Sequence, residues 1–506
     1  MPEQGIQGTS DRPAWARDAV FYQIFPDRFA RSERVPKPTN LLSWHAPPSP
    51  QGFHGGDLLG IVEHLDHLAG LGVTAIYLTP IFQSPSNHRY HTQDYEKVDP
   101  LLGGNSALRA LVAAAHSRNI RIMLDGVFNH ASRGFFQFND ILENGPHSPW
   151  LDWFHIHNWP LAPYDGGKPA NYASWAGDRA LPKFNTDNPQ VREFLMGIAE
   201  FWIREYDIDG WRLDVPQEIT TPGFWEEFRR RVRAIKPDVY LVGEIWREAP
   251  DWLRGDRFDA TMNYVFAAAA IAFAAGDRVS PCLVEGRAYD AYPGIDAAQF
   301  GQRIRDLLAQ YDWETTQVQF NLLDSHDAPR VVSIARGDKA TLRLATLFQM
   351  TFPGTPCIYY GDEIALRGTK RYGHPHRDQD ARWPFPWHDE AAWDRETLDF
   401  FRRAVALRHA HPVLRRGHFK ELYAHAQQYA FLRHDKNETF LVVLNAGNEA
   451  AQISVPVGRY ISDGESLKPL WGAVAVSAVQ RGHLALNIPA RAGAVLTIGE
   501  GDQRRF

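Results

Sequence analysis

The chain has few cysteines and no long apolar run. Only Cys282 and Cys357 occur in 506 residues, and Cys357 lies in the apolar stretch Thr355–Tyr360. This placement predicts a buried strand residue rather than one end of a disulfide. No segment approaches the roughly 18 consecutive apolar residues of a membrane-spanning helix, and the first twenty residues contain no apolar core of signal-peptide length. We therefore expect a cytoplasmic protein.

The chain also has no strong excess of one charge. It carries 54 basic and 60 acidic residues, a formal net charge of -6, which is too small to predict a nucleic acid or membrane partner. The one basic run, Arg229–Arg233, predicts a solvated helix face. Aromatic residues are abundant, at 12% of the chain, and many lie in loop-like stretches. Because aromatic rings stack on the flat faces of sugars, this composition suits a neutral small-molecule substrate.

Short apolar runs alternate with amphipathic helical patterns from about residue 18 to 410, as in parallel βα units. In one unit Asp57 is a helix N-cap candidate, apolar residues recur at helical spacing up to Gly70, and a buried strand follows. Eight such strands are the number that closes a barrel. The predicted strands are Ala19–Ile24, Val73–Leu78, Ile120–Leu124, Ile208–Leu213, Tyr240–Val242, Ala260–Met262, Gln319–Leu323 and Cys357–Tyr360.

The alternation fails in two places, which predicts three domains. Residues 131–185 are irregular and rich in Trp, Asn, Gly and Pro, as in a functional insertion after the third strand. Residues 413–506 contain strands without helices, among them Tyr429–Arg433 and Thr439–Leu444 around a turn. The predicted fold is therefore an α/β protein, with a (β/α)₈ TIM barrel over 1–130 and 186–412, the insertion, and a C-terminal antiparallel β-sandwich domain.

Arg212 and Asp214 lie two positions apart near the end of the fourth predicted strand. Alternate residues of a strand share one face, so both side chains are expected inside the barrel near its C-terminal end, where barrel enzymes place their chemistry. The guanidinium is expected to hold Asp214 ionised at neutral pH, as a nucleophile requires. An Arg-x-Asp pair is also common as a structural ion pair, so this pair alone leaves both interpretations open.

Two further carboxylic acids follow strands. Glu244 ends the fifth strand close to Trp246, and an acid in a partly apolar site keeps its proton to higher pH, as a general acid needs. Asp327 follows the seventh strand together with His326. Three carboxylates at one barrel mouth suit a reaction with an oxocarbenium-like transition state. Histidine–aspartate pairs also occur in metal phosphohydrolases, but no other His/Asp grouping in the sequence has clear metal-ligand spacing.

More polar residues are expected to point inward at the same edge. The segment Asp125–His130 follows the third strand, and neutral imidazoles at His130 and His326 are able to hydrogen-bond sugar hydroxyls. Tyr90 is placed to stack on a sugar ring. Taken singly, each of these residues is equally compatible with a structural role.

Taken together and in this order, four segments resemble the α-amylase superfamily of glycoside hydrolases over nearly the whole chain. The resemblance implies a retaining α-glycosidase with Asp214 as nucleophile, Glu244 as general acid/base and Asp327 as transition-state stabiliser. It implies no cofactor. The matching segments are Asp125–His130, Gly210–Asp214, Glu244 and Phe320–Asp327. The substrate-binding residues expected from it, with Trp246 beside the acid/base, are Tyr90, His130, Arg212, His326, Asp378 and Arg382.

The finer pattern resembles the neopullulanase, cyclomaltodextrinase and maltogenic amylase group. The segments that carry this likeness are Leu181–Asn185, Val215–Glu218 and Trp252–Asp259. The implied substrates are cyclodextrins, pullulan, maltooligosaccharides or starch, cleaved at α-1,4 and, as a further option, α-1,6 bonds. Transglycosylation and endo-acting α-amylase activity are alternatives, and a non-catalytic carbohydrate-binding or transporter-associated barrel is a remote one.

The chain departs from that group at two points. The first barrel strand begins near residue 19, so the additional N-terminal β domain through which the group forms dimers is not expected, and the oligomeric state stays open. Glu218 stands where calcium-dependent amylases carry a histidine ligand, although Asn129 is present. This difference argues against the usual calcium site, while leaving other oxygen-rich sites for a structural ion open.

Overall fold

A parallel eight-stranded barrel forms the centre of the molecule in a computed structural model that describes residues 12–167, 170–285, 291–368 and 380–498. We number its strands β1 to β8 in chain order. All eight strands predicted from the apolar runs are confirmed, with ends that differ by at most two residues. They are β1 Phe21–Ile24, β2 Ala75–Leu78, β3 Arg121–Gly126, β4 Gly210–Leu213, β5 Tyr240–Gly243, β6 Ala260–Thr261, β7 Phe320–Leu322 and β8 Thr355–Tyr359.

The sheet runs in the order β6-β5-β4-β3-β2-β1-β8-β7. A parallel bridge between Met262 and Phe320 joins its two edges, so the sheet is closed. Aromatic side chains fill the interior at the amino-terminal end, where the rings of Phe21 and Phe320 lie 5.1 Å apart. Because this end is packed solid, polar side chains are accommodated at the opposite, carboxyl end of the strands.

Helices surround the barrel, as the amphipathic runs predict. Asp57 caps the first unit by accepting a hydrogen bond from the Gly60 amide at 2.7 Å, and Gly72 ends it in a left-handed conformation. None of the described helices is long and apolar enough to cross a membrane. The helices are Ala14–Asp18, Pro26–Phe29, Leu58–Glu63, Leu65–Leu71, Gly104–His116, Phe136–Asn144, Pro189–Tyr206, Phe224–Ile235, Tyr264–Ala275, Pro281–Val284, Ala297–Ala309, Trp313–Thr316, Val331–Ile334, Lys339–Thr351, Arg395–Ala410 and Pro412–Arg416.

The basic run on helix Phe224–Ile235 does not form a uniformly solvated face. Arg230 is exposed as predicted, but Arg229 is only 5% exposed and pairs with the buried Asp259 at 2.9 Å. The prediction was therefore wrong for Arg229, because the buried carboxylate of Asp259, directly before β6, requires a cation on the helix that covers it.

Between β3 and helix Pro189–Tyr206 the chain forms an irregular insertion. It contains the helix Phe136–Asn144 and a few isolated bridges, of which His130 with Lys183 ties its two ends together and Phe154 with Phe184 joins its middle to its end. Aromatic packing provides its core, with the rings of Phe154 and Phe184 stacked at 5.3 Å. The insertion therefore stands beside the carboxyl end of the barrel and supplies one wall of the cavity there.

The C-terminal region consists of two antiparallel sheets packed around a common apolar core. The predicted pair of strands around the turn at residues 435–438 is confirmed as Gln428–His434 paired with Thr439–Asn445. The first sheet has the order His418–His425, Gln428–His434, Thr439–Asn445, Ala492–Ile498 and Leu467–Trp471, and the second the order Ala451–Pro456, His483–Ile488 and Ala475–Val476.

A buried arginine joins this β domain to the barrel. Arg433 is fully buried and donates to the carbonyl oxygens of Thr351 at 2.6 Å, Leu414 at 2.7 Å and Gly417 at 2.7 Å. Burial lowers the pKa of its guanidinium well below the ordinary value, and the charge of Arg408 lowers it further. The side chain therefore acts chiefly as a multiple hydrogen-bond donor that satisfies carbonyl groups at the domain junction.

We expect Arg433→Met to destabilise the protein by about 2–4 kcal/mol, because methionine fills similar space but leaves several buried carbonyls without a donor. Thermal unfolding followed by circular dichroism checks this expectation. Lys436→Met, in the exposed turn two residues beyond the strand, is the matched control and is expected to melt like the parent. Equal melting temperatures for the two variants would show that the arginine does not stabilise the junction.

Candidate active site

Three carboxylic acids meet at the carboxyl end of the barrel. Asp214 directly follows β4, Glu244 directly follows β5, and Asp327 lies five residues beyond β7. All three border one cavity of about 780 Å³, a size typical of small-molecule sites. The side chains that line it are His88, Tyr90, His91, His130, Trp175, Ala176, Asp178, Leu181, Asp214, Val215, Gln217, Glu218, Glu244, Trp246, Asp327 and Arg382.

A fully buried guanidinium connects two of the acids. Nη1 of Arg212 donates to Asp214 Oδ1 at 2.9 Å and to both oxygens of Asp125, at 2.8 and 3.0 Å. Nη2 lies 2.6 Å from Glu244 Oε1. The second oxygen of Glu244 accepts a hydrogen bond from the Val215 amide at 3.2 Å. Arg212 therefore holds Asp214 and Glu244 on the same side of the cavity from behind its wall.

The third acid belongs to a second network centred on His326. The Gln23 amide donates to Nδ1 of this imidazole at 2.8 Å, which leaves the ring proton on Nε2. There it faces Asp327 Oδ2 at 2.9 Å and the Tyr90 hydroxyl at 2.7 Å. Arg382 approaches Asp327 from the other side, with Nη2 at 2.8 Å from Oδ1. These contacts fix the orientation of the Asp327 carboxylate.

The two networks give the acids different electrostatic environments. Burial raises the pKa of Asp214 well above its ordinary value, the charge of Glu244 raises it further, and Arg212 only partly opposes this. Burial also raises the pKa of Glu244, again against Arg212. Burial likewise acts to raise the pKa of Asp327, but the interactions with His326 and Arg382 outweigh it and leave this pKa below its ordinary value.

The structure differs from the expectation that the guanidinium of Arg212 holds Asp214 ionised at neutral pH, because burial and the charge of Glu244 outweigh Arg212 and raise the pKa of Asp214. The guanidinium contacts both Asp214 and Glu244, so it does not discriminate between them, and two close buried carboxyls cannot both ionise easily. We infer that the pair keeps one shared proton to higher pH than a free carboxyl does, whereas Asp327 stays charged. One proton on two carboxyls is the state that an acid-assisted displacement needs.

Histidine and aromatic side chains form the remaining walls. Burial lowers the pKa of His130 to about 3, so its imidazole is neutral at neutral pH. Its ring lies 5.7 Å from Trp175 of the insertion. On the opposite side Trp246 stacks on Tyr264 at 3.8 Å. These rings offer apolar faces next to polar groups, as sugar binding requires.

The structure brings together nine of the ten predicted site residues. Seven line the cavity directly, namely Tyr90, His130, Asp214, Glu244, Trp246, Asp327 and Arg382. Arg212 and His326, which were expected to line it, are fully buried and contact the acids from behind. Asp378 lies outside the described residues. The Tyr90 hydroxyl also donates to Asp125 Oδ2 at 3.0 Å, while its ring stacks on His326.

Sequence reasoning missed several residues of the site. Gln23 and Tyr77 are inward polar residues on β1 and β2, and Tyr77 donates to Asp125 at 2.6 Å. Polar side chains within otherwise apolar strands were the signal available for them. His88, His91, Asp178 and Gln217 also line the cavity. Those four lie in loops or, for Gln217, in the short 3₁₀ turn Pro216–Glu218, where a single sequence carries no periodicity from which to infer their direction.

Asp125→Asn provides a test of the electrostatics. The charge of Asp125 raises the pKa of both Asp214 and Glu244, so its removal should lower both values. The alkaline limb of the pH profile of kcat/KM reports loss of the catalytic proton, and we expect this limb to move to lower pH in the variant. Asp66→Asn, on an outer helix with an 87% exposed side chain, should leave the limb in place. A shift of the Asp125→Asn limb to higher pH would contradict the shared-proton assignment.

A barrel with one charged and two proton-sharing carboxyls around a polar and aromatic cavity defines a glycoside hydrolase that works through carboxylates. Comparison with known proteins agrees. The model of the α-amylase catalytic domain matches residues 23–441, and that of the neopullulanase-like C-terminal domain matches residues 419–496. The chain belongs to the α-amylase family of glycoside hydrolases.

Similar proteins cover most of the chain. A cyclomaltodextrinase from a Bacillus species is 45% identical over 86% of this chain and 73% of its own length. The intracellular maltogenic amylase of Bacillus subtilis is 40% identical over 88% of this chain and 71% of its own. The solved structure of the Nostoc punctiforme debranching enzyme in its native form matches with a TM-score of 0.88 and 50% identity, over 97% of this chain and 100% of that one.

Proposed function

We propose that the protein is a retaining hydrolase of α-glucans that cleaves α-1,4 bonds, and also α-1,6 bonds, in cyclodextrins, pullulan and short maltooligosaccharides. The observation that carries the proposal is the convergence of Asp214, Glu244 and Asp327 on one cavity. Relatives named cyclomaltodextrinase, maltogenic amylase and debranching enzyme support the range of substrates. The name of the Bacillus subtilis relative supports a location in the cytoplasm.

In the proposed mechanism the bound glycosidic oxygen lies beside Glu244 and draws the shared proton to this residue, which leaves Asp214 ionised. Glu244 then protonates the leaving oxygen while Asp214 attacks the anomeric carbon and forms a covalent glucosyl ester. Water deprotonated by Glu244 hydrolyses the ester, so the product keeps the α configuration. Asp327, held as a carboxylate by His326 and Arg382, stabilises positive charge on the sugar ring in both steps.

The neutral groups of the cavity position the sugar. Tyr90 presents its ring and His130 an uncharged imidazole, so both bind hydroxyl-rich rings without competing for the charges of the acids. Trp175 and Leu181 of the insertion form the facing wall. This arrangement encloses a few sugar units around the acids and favours short or cyclic substrates over random attack within long chains.

Product analysis tests the function. Separate incubations with β-cyclodextrin, pullulan, starch and maltotriose, followed by chromatography, are expected to show faster release of short products from cyclodextrin and maltotriose than from starch. Proton NMR of the first product should show the α anomer. A β anomer would refute the retaining mechanism. Faster cleavage of starch would favour the endo-acting alternative, and products longer than the substrate would favour transglycosylation.

The residues near Asn129 do not fit the structural calcium site that the family resemblance raises. Calcium takes six to eight oxygen ligands, usually with several carboxylates. Here the carboxylate of Glu218 is paired with the Lys183 ammonium at 3.3 Å, and among the described residues no group of three His, Cys, Asp or Glu side chains is arranged to hold a metal ion. The side-chain oxygen of Asn129 is buried without a hydrogen-bond partner, but a single oxygen is too few ligands for calcium.

We therefore expect dialysis against EDTA to leave both kcat on maltotriose and the thermal melting temperature unchanged. The lysine ammonium neutralises Glu218 in place of a metal ion, so chelation removes nothing on which the fold depends. Melting curves before and after dialysis, and after re-addition of calcium chloride, check this. A lower melting temperature that calcium restores would show that a structural ion is present.

A further inference from the structure

Exposed aromatic side chains are concentrated on the insertion. Four large apolar side chains are exposed among the described residues, and three of them belong to this segment, namely Phe136, Trp159 and Tyr164 at 66%, 38% and 70% exposure. The fourth, Leu470, lies on the C-terminal domain. Isolated exposed apolar residues need no explanation, but a group of aromatic rings on one small segment indicates a binding surface.

Trp159 and Tyr164 border the same surface groove, which has a volume of about 740 Å³. Asn139, Glu143 and Asn144 of helix Phe136–Asn144 form its other side. Phe136 lies one helical turn before Asn139 and extends the same face of the helix. The groove therefore has two aromatic rings on one side and amide and carboxylate groups on the other; we call it the insertion groove.

The rings of the insertion groove are held in place by the backbone around them. Arg133 lies 4.2 Å from the centre of the Tyr164 ring and donates to the Pro163 carbonyl at 2.7 Å. Asn171 donates to the carbonyl of Asn158 at 3.1 Å and accepts from the Ala162 amide at 3.1 Å, which fixes the loop that carries Trp159. Fixed rings lose little conformational entropy when they bind a ligand.

The insertion groove is close to the active-site cavity. Arg133, which contacts Tyr164, donates its backbone amide to the Ala180 carbonyl at 2.9 Å, and the next residue, Leu181, lines the cavity. Burial lowers the pKa of His91 in the cavity wall, and the charge of Arg133 acts on it in the same direction. Arg133 therefore contacts both the insertion groove and the segment that forms one wall of the cavity.

The chemistry of the insertion groove favours a sugar chain over a second copy of the protein. A stable protein interface needs about 800 Å² on each partner with a largely apolar centre, whereas in this groove the two rings and the neighbouring prolines and leucines share the lining with the polar Asn139, Glu143 and Asn144. Glucan chains present apolar ring faces next to hydroxyls, which match rings on one side of the groove and amides on the other. The groove also shares its supporting segment with the cavity that holds the acids.

We propose that the insertion groove is a second, non-catalytic binding site for an α-glucan chain, with Trp159 and Tyr164 stacking on its glucose rings. The inference rests on the proposed function, because the ligand is a longer form of the same substrate. A glucan bound there is held beside the cavity without occupying it, which raises the local concentration of branched or long substrates.

Binding and hydrolysis are to be measured separately. Electrophoresis in gels containing amylopectin, carried out in an Asp214→Asn background, measures binding without cleavage. We expect Trp159→Ala combined with Tyr164→Ala to raise the apparent Kd for amylopectin by about tenfold or more, given the usual energy of aromatic contacts. With Asp214 present, the same double variant should hydrolyse maltotriose at the parental kcat/KM. Tyr164→Ala alone is the milder variant, and Leu470→Ala is the matched control with unchanged binding.

Each outcome supports or overturns the proposal. Retardation that is equal in the parent and in the double variant, or absent from both, overturns it. A change from dimer to monomer in the double variant, measured by light scattering, with retardation unchanged would assign the groove to self-association instead. If wild-type protein cleaves no α-glucan although retardation still depends on the rings, the proposed function fails while the binding site stands.

Discussion

Replacement of Asp214 by Asn is expected to lower kcat on maltotriose by about ten-thousand-fold or more, the scale seen when a catalytic nucleophile is removed. Asparagine has nearly the same shape, and its carbonyl oxygen is still able to accept from Arg212 Nη1, which now lies 2.9 Å from Asp214 Oδ1. Its amide does not form the glucosyl ester. The loss should therefore appear in kcat, with circular dichroism and melting temperature close to those of the parent.

Asp214→Gly adds a positive test of the same role. Glycine leaves space where the carboxylate was, and azide is able to enter it and attack α-maltosyl fluoride from the same face. Carbon–fluorine cleavage then needs no protein nucleophile, fluoride leaves as the anion, and the product is β-maltosyl azide with inverted configuration. Asp327→Asn is the control, because Asp327 is assigned to charge stabilisation and its loss opens no such path. Failure to form the β azide would remove Asp214 from the nucleophile position.

The positions of the acids at the barrel end are predictable because the geometry of parallel strands is simple. Once eight apolar runs are recognised, residues that follow strands must meet at the carboxyl edge, and Asp214 and Glu244 directly follow neighbouring strands that pair in register. This argument needs no side-chain detail. The same argument predicted Asp327 at the carboxyl end of the barrel, although this residue lies five positions beyond β7.

The residues that orient the side chains around the acids are harder to predict from the sequence. Gln23 orients His326 from β1, and Tyr77 holds Asp125 from β2. In the sequence, each of these residues is a single polar position within an apolar strand. Only the closed barrel shows that both side chains point into its interior and contact the residues of the site. The ionisation of Asp214 shows the same limit, since Arg212 was recognised as its neighbour but the additional contact of Arg212 with Glu244 depends on three-dimensional geometry.

In the insertion, the sequence pattern does not predict which aromatic side chains are buried. Its aromatic residues were recognised as unusual, yet nothing in the sequence distinguishes the buried Phe154 from the exposed Tyr164. Burial there follows from the packing of irregular loops, which has no fixed period. The basic run is a different case, because it lies on a regular helix, where Arg229 is on the buried side and pairs with Asp259, 30 residues further along the chain.

Glu244→Gln is expected to separate the two steps of the reaction. With maltotriose, whose leaving oxygen must be protonated, kcat should fall by about a thousand-fold or more, because general acid catalysis is lost. With α-maltosyl fluoride the leaving group needs no proton, so Asp214 should still form its ester. Hydrolysis of that ester lacks the base, and the maltosyl-enzyme should accumulate. Intact-protein mass spectrometry would detect the added maltosyl unit on the variant.

Azide provides the final discrimination between the two acids. In Glu244→Gln it should attack the accumulated ester and give α-maltosyl azide, because the second displacement restores the original configuration. In Asp214→Gly the same reagents should give the β azide by a single displacement. Opposite anomers from two variants at neighbouring strand ends follow only if Asp214 is the nucleophile and Glu244 the acid/base. The same anomer from both variants would be incompatible with this division of roles between the carboxyls that Arg212 holds together.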